Sequence, residues 1–159
     1  MSDRRILLIG ASGLVGGQVM KTAVGQPWLR LVALARREVT MPPGAQMEML
    51  VAQPAEWPEA VAAIAPDAVI CALGTTIKQA GSEGAFRAVD HDLVLSVAQA
   101  ARQANVENFV LVSAVGASPN AKAFYLRVKG EVEAAVGKLR FRRLDVLRPA
   151  LLRGRRRGE

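Results

Sequence analysis

The sequence predicts a doubly wound α/β fold, a parallel sheet with helices on both faces, and three observations carry that prediction. Short apolar runs alternate with stretches of helical periodicity along the chain, beginning with Ile6 to Ile9. Those runs are near-continuous rather than alternating, as in strands covered on both sheet faces. The first run ends in Gly10-Ala11-Ser12-Gly13-Leu14-Val15-Gly16, a glycine-rich turn that opens an amphipathic stretch. At 159 residues with 51% hydrophobic composition, the chain suits one domain, 1–159, with a sizeable core.

The apolar run at 5–9 reads as a strand, and the turn after it leads into a helix at 14–24, with Leu14, Val15, Val19 and Met20 as its apolar contacts. Leu31-Val32-Ala33-Leu34-Ala35 makes 29–35 a second strand, and 46–51 is a shorter third. A helix at 58–65 and a strand at 68–73 follow, then a loop at 74–82 rich in Gly, Thr, Lys and Gln. One long helix is expected at 84–104, because Phe86, Val89, Leu93, Val97 and Ala100 recur at helical spacing. After a strand at 108–113 and a loop through Pro119, Phe124, Val128, Val132 and Val136 repeat every four residues in a helix at 121–136. A strand at 144–148 ends at Pro149. Trp28 and Trp57 each adjoin a proline and read as packing at element ends.

Strand, glycine turn and helix N-terminus together form a cradle for a dinucleotide pyrophosphate, which makes the fold Rossmann-like. Glycines remove the Cβ atoms that would hold phosphates away, and the free N–H groups of the first helical turn meet the negative charge. Gly10, Ser12, Gly13, Leu14, Val15 and Gly16 are the expected contacts here, Gly13 for close approach to phosphate and Gly16 for close packing of helix on sheet. The end of the second strand lies against the adenosine ribose in this fold, where NAD enzymes place an acid. Here it is Arg36-Arg37, with Glu38 beyond the strand end. A guanidinium binds a 2′-phosphate through paired hydrogen bonds, and Ser12 can add a hydroxyl, so NADP(H) is the expected cofactor. The alternative is an arginine pair that simply ends a strand in solvent.

Tyr125 is the only tyrosine, and Lys129 lies one turn later on the same helix face. A phenol with a pKa of about 10 is a poor proton donor or acceptor at neutral pH, and a neighbouring ammonium stabilises its phenolate. Tyr125 would then protonate a developing alkoxide or take an alcohol proton, with Lys129 also holding the nicotinamide ribose. Ser113, at the end of its strand, completes the catalytic candidates.

In these features the sequence resembles the short-chain dehydrogenase/reductase superfamily, in the extended and atypical branch whose turn reads Gly-x-x-Gly-x-x-Gly. Cys71-Ala72-Leu73-Gly74-Thr75-Thr76, Ala80-Gly81-Ser82-Glu83-Gly84, Val89-Asp90, Tyr125-Leu126-Arg127-Val128-Lys129-Gly130-Glu131-Val132-Glu133 and Leu147-Arg148-Pro149 look like its Tat-interacting-protein-like oxidoreductase subgroup. The resemblance covers most of 5–153. It implies that Leu73, Gly74 and Thr75 line the cofactor beyond the pyrophosphate, and that the backbone after Arg148-Pro149 approaches the nicotinamide. Two departures stand out. The superfamily's catalytic serine lies just past the fifth parallel strand, whereas Ser113 falls one or two residues early and leaves Ala114 or Val115 at that place. Family members also continue well past the Arg-Pro strand, so this chain reads as short at the C-terminus, either truncated or lacking its substrate wall.

Residues 1–137 hold 12 Lys+Arg and 12 Asp+Glu, against 9 and 2 in 138–159, so the net charge of +7 comes from the C-terminal part. Its basic tail, 150–159, reads as a solvated arginine-rich end. Nucleic acid is not the expected partner, because base stacking needs aromatics and Phe141 is the only one there. A single cysteine, Cys71, excludes an internal disulfide and reads as a small core residue; with a start too short for a signal peptide, it gives a cytoplasmic expectation. No apolar run reaches about 18 residues, so no membrane span is expected. His91 is the only histidine and reads as a helix-surface residue, and no metal site is expected. Asp90 either bonds backbone near the active site or is a solvated helix acid beside Asp92. The long helices at 84–104 and 121–136 could pair with a second copy as a homodimer. The expected function is that of an NADP-dependent oxidoreductase acting on a small carbonyl or alcohol; the alternative is a non-catalytic NADPH-binding regulatory or interaction protein.

Overall fold

The computed structural model describes residues 3–150. The expected basic tail at 150–159, with Arg153, Arg155, Arg156 and Arg157, therefore lies outside the described residues apart from Ala150.

Six parallel strands form one sheet in the order β3-β2-β1-β4-β5-β6, with β1 Arg4–Ile9, β2 Leu29–Ala35, β3 Glu48–Val51, β4 Ala68–Cys71, β5 Asn108–Val112 and β6 Arg143–Leu147. This is the doubly wound arrangement the sequence predicts, and the order reverses between β1 and β4, where such sheets open a crevice at their carboxyl edge. The helices are α1 Leu14–Ala23, α2 Trp57–Ile64, α3 Ile77–Ala80, α4 Glu83–Arg87, α5 Val94–Gln103 and α6 Phe124–Gly137.

The pleat divides the core between the two faces. Leu7 and Ile9 of β1 point with Val69, Cys71, Phe109 and Leu111 towards α2, α5 and α6, against Val61, Val97, Val132 and Val136. Leu8 and Ala33 point the other way, to Met20 of α1. Cys71 is a free, buried thiol in the larger cluster, and burial pushes it up to about 11, away from reactivity.

Three expectations need correction. The helix expected at 84–104 is not continuous: Ala88–Leu93 is π-helical and separates α4 from α5. Within the loop expected at 74–82, α3 forms because the Thr76 hydroxyl accepts the Gln79 amide at 3.0 Å, and α4 is capped likewise by Ser82 on Ala85 at 3.1 Å. Trp57 packs as expected, buried with its indole N–H donating to the Ala52 carbonyl at 2.9 Å, but Trp28 is exposed and donates only to the nearby Gln26 amide oxygen. No described helix is long and apolar enough to cross a membrane.

Candidate functional site

The crevice between β1 and β4 is built from backbone. Gly10 takes a φ of 90° as the chain leaves β1, and a Cβ there would overlap the Ala72–Leu73 backbone of the loop after β4. A Cβ on Gly16 would overlap the Gly10 carbonyl, so α1 approaches the turn only because that position is bare. Gly13 caps α1 with no side-chain hydrogen bond, and no acid stands in the first turn. The amides of Leu14, Val15 and Gly16 are therefore left for an external acceptor, with Ser12 and Gly13 exposed beside them. Bare glycines and an uncapped helix N-terminus fit the pyrophosphate that the sequence predicts here.

Arg36 and Arg37 are exposed just beyond the end of β2, as is Glu38. Neither arginine forms a salt bridge with another described residue.

The opposite wall is the loop after β4. The Ala72 amide donates to the Ile9 carbonyl at 2.8 Å, which extends the β1–β4 ladder, and Leu73, Gly74 and Thr75 follow. The Thr75 amide donates to Asp90 Oδ2 at 3.0 Å. Asp90 lies on the π-helical segment with no exposed surface, and its Oδ1 is 2.5 Å from Lys129 Nζ of α6. Burial pushes the Asp90 carboxyl above its ordinary value, while the Lys129 ammonium and the Thr75 amide oppose that shift. Of the two sequence readings of Asp90, backbone bonding beside the site is the one observed; Asp92 is the solvated acid, 2.8 Å from His91 Nδ1.

Tyr125, one turn before Lys129, is 47% exposed. Ser113 is buried and faces the Glu133 carboxylate without closing a well-formed hydrogen bond among the described residues. Glu133 in turn holds Arg148 through two bonds, to Nε at 3.0 Å and to Nη2 at 2.6 Å. Burial works against the Glu133 charge, but Arg148, Ser113 and Lys129 outweigh it and hold the carboxyl below its ordinary value. The structure thus brings Lys129 to Asp90 and Ser113 to Glu133. Sequence reasoning did not identify this second cluster, although Glu133 stands four residues after Lys129 on the same helix face.

A family model described as NAD(P)H-binding matches residues 10–147. Protein FMP52, mitochondrial, of Eremothecium gossypii is 38% identical over 152 residues, covering 94% of this chain and 67% of that protein. Its namesake in Saccharomyces cerevisiae is 35% identical over 153 residues, covering 94% and 66%. Protein HTATIP2 of Rattus norvegicus is 38% identical over 158 residues, covering 96% and 64%. The chain thus spans about two thirds of the length of these relatives. Among solved structures, the Bordetella bronchiseptica enzyme WbmH in complex with NAD+ superposes with a TM-score of 0.74 at 15% identity, covering 93% of this chain and 56% of that one. UDP-glucose 4-epimerase of Thermotoga maritima gives 0.74 at 13%, covering 91% and 54%. At such identities the likeness speaks for the fold alone. The fungal relatives overturn the cytoplasmic expectation, since their names place them in mitochondria. The expectation failed because one buried thiol excludes an internal disulfide without distinguishing one reducing compartment from another.

Proposed function

The chain belongs to the NAD(P)H-binding family, among the Tat-interacting-protein-like atypical short-chain dehydrogenase/reductases, and from that premise we propose that it is an NADP(H)-dependent oxidoreductase acting on a small carbonyl or alcohol. The observation that carries this reading is Lys129, which α6 delivers through Asp90 to the loop after β4, the expected cofactor wall.

Arg36 and Arg37 bind the 2′-phosphate of the adenosine ribose, and the first-turn amides of α1 bind the pyrophosphate. When bound, the nicotinamide supplies or accepts hydride. Tyr125 gives a proton to the substrate oxygen in reduction and removes it in oxidation, and its exposure leaves the hydroxyl open to a substrate. Lys129, one turn away, holds the nicotinamide ribose and places positive charge beside the phenol. The Ser113 hydroxyl is buried with no hydrogen-bond partner among the described residues, so Tyr125 carries the main donor role towards the substrate oxygen.

Titration of the purified protein with NADPH and NADH, followed by nicotinamide fluorescence, is the first test. Tight NADPH binding and weak NADH binding are expected. Arg36→Ala/Arg37→Ala should erase most of that difference, on the order of tenfold or more for lost charge-assisted bonds. If the double variant keeps the full preference, the arginines do not read the phosphate. On a panel of carbonyl compounds, Tyr125→Phe should abolish turnover with cofactor affinity nearly intact; undiminished turnover would remove Tyr125 from the mechanism.

A second reading, an NADPH-binding regulatory or interaction protein without chemistry, is favoured by Ala114 and Val115 at the customary serine place and by the burial of Ser113. Tight NADPH binding with no turnover across the panel is its signature.

A further inference from the structure

The positive charge of the C-terminal part plays no role in the cofactor crevice, and the arginines of its described portion are not all alike. Arg143 is paired with Asp145, and Arg148 with Glu133. Arg140 and Arg142 instead line a hollow of about 270 Å³ together with Arg102, Asn105, Val106 and Glu107. Glu107 directly precedes β5 and Arg142 directly precedes β6, so the hollow lies at the amino edge of the sheet. The cofactor crevice opens at the carboxyl edge, at the other end of the strands.

Two chain reversals bring the arginines together. α5 ends at Gln103, and Asn105 turns the chain towards β5 with a φ of 61°. α6 ends at Gly137, and Arg140 turns it towards β6 with a φ of 59°. Asparagine tolerates this left-handed backbone, whereas arginine rarely adopts it, and such outliers cluster at ligand sites. Arg102 joins the two reversals, since its Nε donates to the Leu139 carbonyl at 3.0 Å, which leaves both terminal nitrogens of the guanidinium for another acceptor. Arg142 Nη1 lies 3.3 Å from Glu107 Oε2 with both side chains well exposed, a weak pairing. Arg140 forms no salt bridge with another described residue.

Cations here complement the C-termini of α5 and α6, which carry roughly half a negative charge each and so account for about one arginine. Glu107 balances a second. The third guanidinium is in excess, and an anion is the group that balances it. We propose that the hollow is a second ligand site, separate from the cofactor crevice, which takes a phosphate-bearing ligand about the size of a diphosphate. A guanidinium fork matches two phosphate oxygens at once, and three arginines around one hollow supply several such forks. The volume falls just under the roughly 300–1,000 Å³ of pockets for drug-sized ligands, room for a phosphate or diphosphate group rather than a whole dinucleotide. A free phosphorylated compound and a phospholipid headgroup both carry this chemistry.

The experiment titrates inorganic pyrophosphate into the full chain at constant ionic strength and follows the arginine Nε–Hε signals and the backbone amides by NMR. The signals of Arg102, Arg140 and Arg142, identified by substitution, should move along one saturable curve. Arg140→Gly is the informative variant, because glycine suits the left-handed backbone and the guanidinium is removed without straining the turn. It should weaken pyrophosphate binding about tenfold, the worth of a hydrogen bond to a charged group. Movement confined to the first-turn amides of α1, shifts that never saturate, or an affinity unaltered in Arg140→Gly would overturn the inference. Once pyrophosphate is seen to bind in the hollow, sedimentation with vesicles of phosphatidylcholine, with and without phosphatidic acid, separates the two sources. Sedimentation with the acidic vesicles alone, lost in Arg140→Gly, assigns the site to a lipid headgroup; no sedimentation assigns it to a free phosphorylated compound.

Discussion

Glu133 illustrates how a charge can support the site without touching a substrate. Its carboxylate grips Arg148 through both oxygens, faces the buried Ser113 hydroxyl and stands one turn after Lys129. Its native pKa is lowered, so the stabilisation it contributes is fully present above the ordinary glutamate range and is lost as pH falls through the lowered native value. Glu133→Gln should therefore be less stable than the wild type at neutral pH, and the two melting curves should converge in acid. A gap independent of pH would assign the loss to shape rather than charge. Such pairings were only partly legible beforehand. The four-residue spacing of Tyr125, Lys129 and Glu133 was visible on one helix face, but the partners of Lys129 and Glu133 lie on other elements. Asp90 is 39 positions before Lys129 in the chain and Arg148 is 15 after Glu133. Periodicity reads neighbours on one element and has no access to contacts that only the crossovers create.

At the scale of elements, the strands were legible because a doubly covered sheet demands unbroken apolar runs, and β2 begins and ends where its residues require. The π-helical segment was not, because its extra residue per turn leaves the apolar pattern of Phe86, Val89, Leu93 and Val97 compatible with one α-helix. β5 is the strand on which the larger core depends. Phe109 is fully buried and stacks on Phe141 with ring centroids 5.0 Å apart, joining β5 to the chain entering β6. Phe109→Ala should cost about 3–5 kcal/mol in denaturant unfolding, as for other buried aromatic truncations. A loss under about 1 kcal/mol would mean that the site collapses around the missing ring. Because α6 packs over this cluster through Val132 and Val136, that variant also tests how firmly the helix bearing Tyr125 and Lys129 is seated.

For the whole molecule, the two core clusters lie on opposite faces of one sheet, and the proposed cofactor crevice is where the strand order reverses between β1 and β4. A ligand that binds only the folded state there stabilises the entire sheet by mass action, about 2.7 kcal/mol at a hundredfold excess over Kd. NADPH should therefore raise the melting temperature of the wild type and of Phe109→Ala alike, since the core variant leaves the glycine turn intact. Gly16→Ala should behave differently. The added methyl overlaps the Gly10 carbonyl and must push α1 away from the turn, a strain of about 1–3 kcal/mol typical of overpacking. The same displacement moves the first-turn amides off the pyrophosphate, so NADPH should give little protection to this variant. Matching the two variants for stability separates a damaged core from a damaged site. Full NADPH protection of Gly16→Ala would show that the amides of α1 do not hold the cofactor.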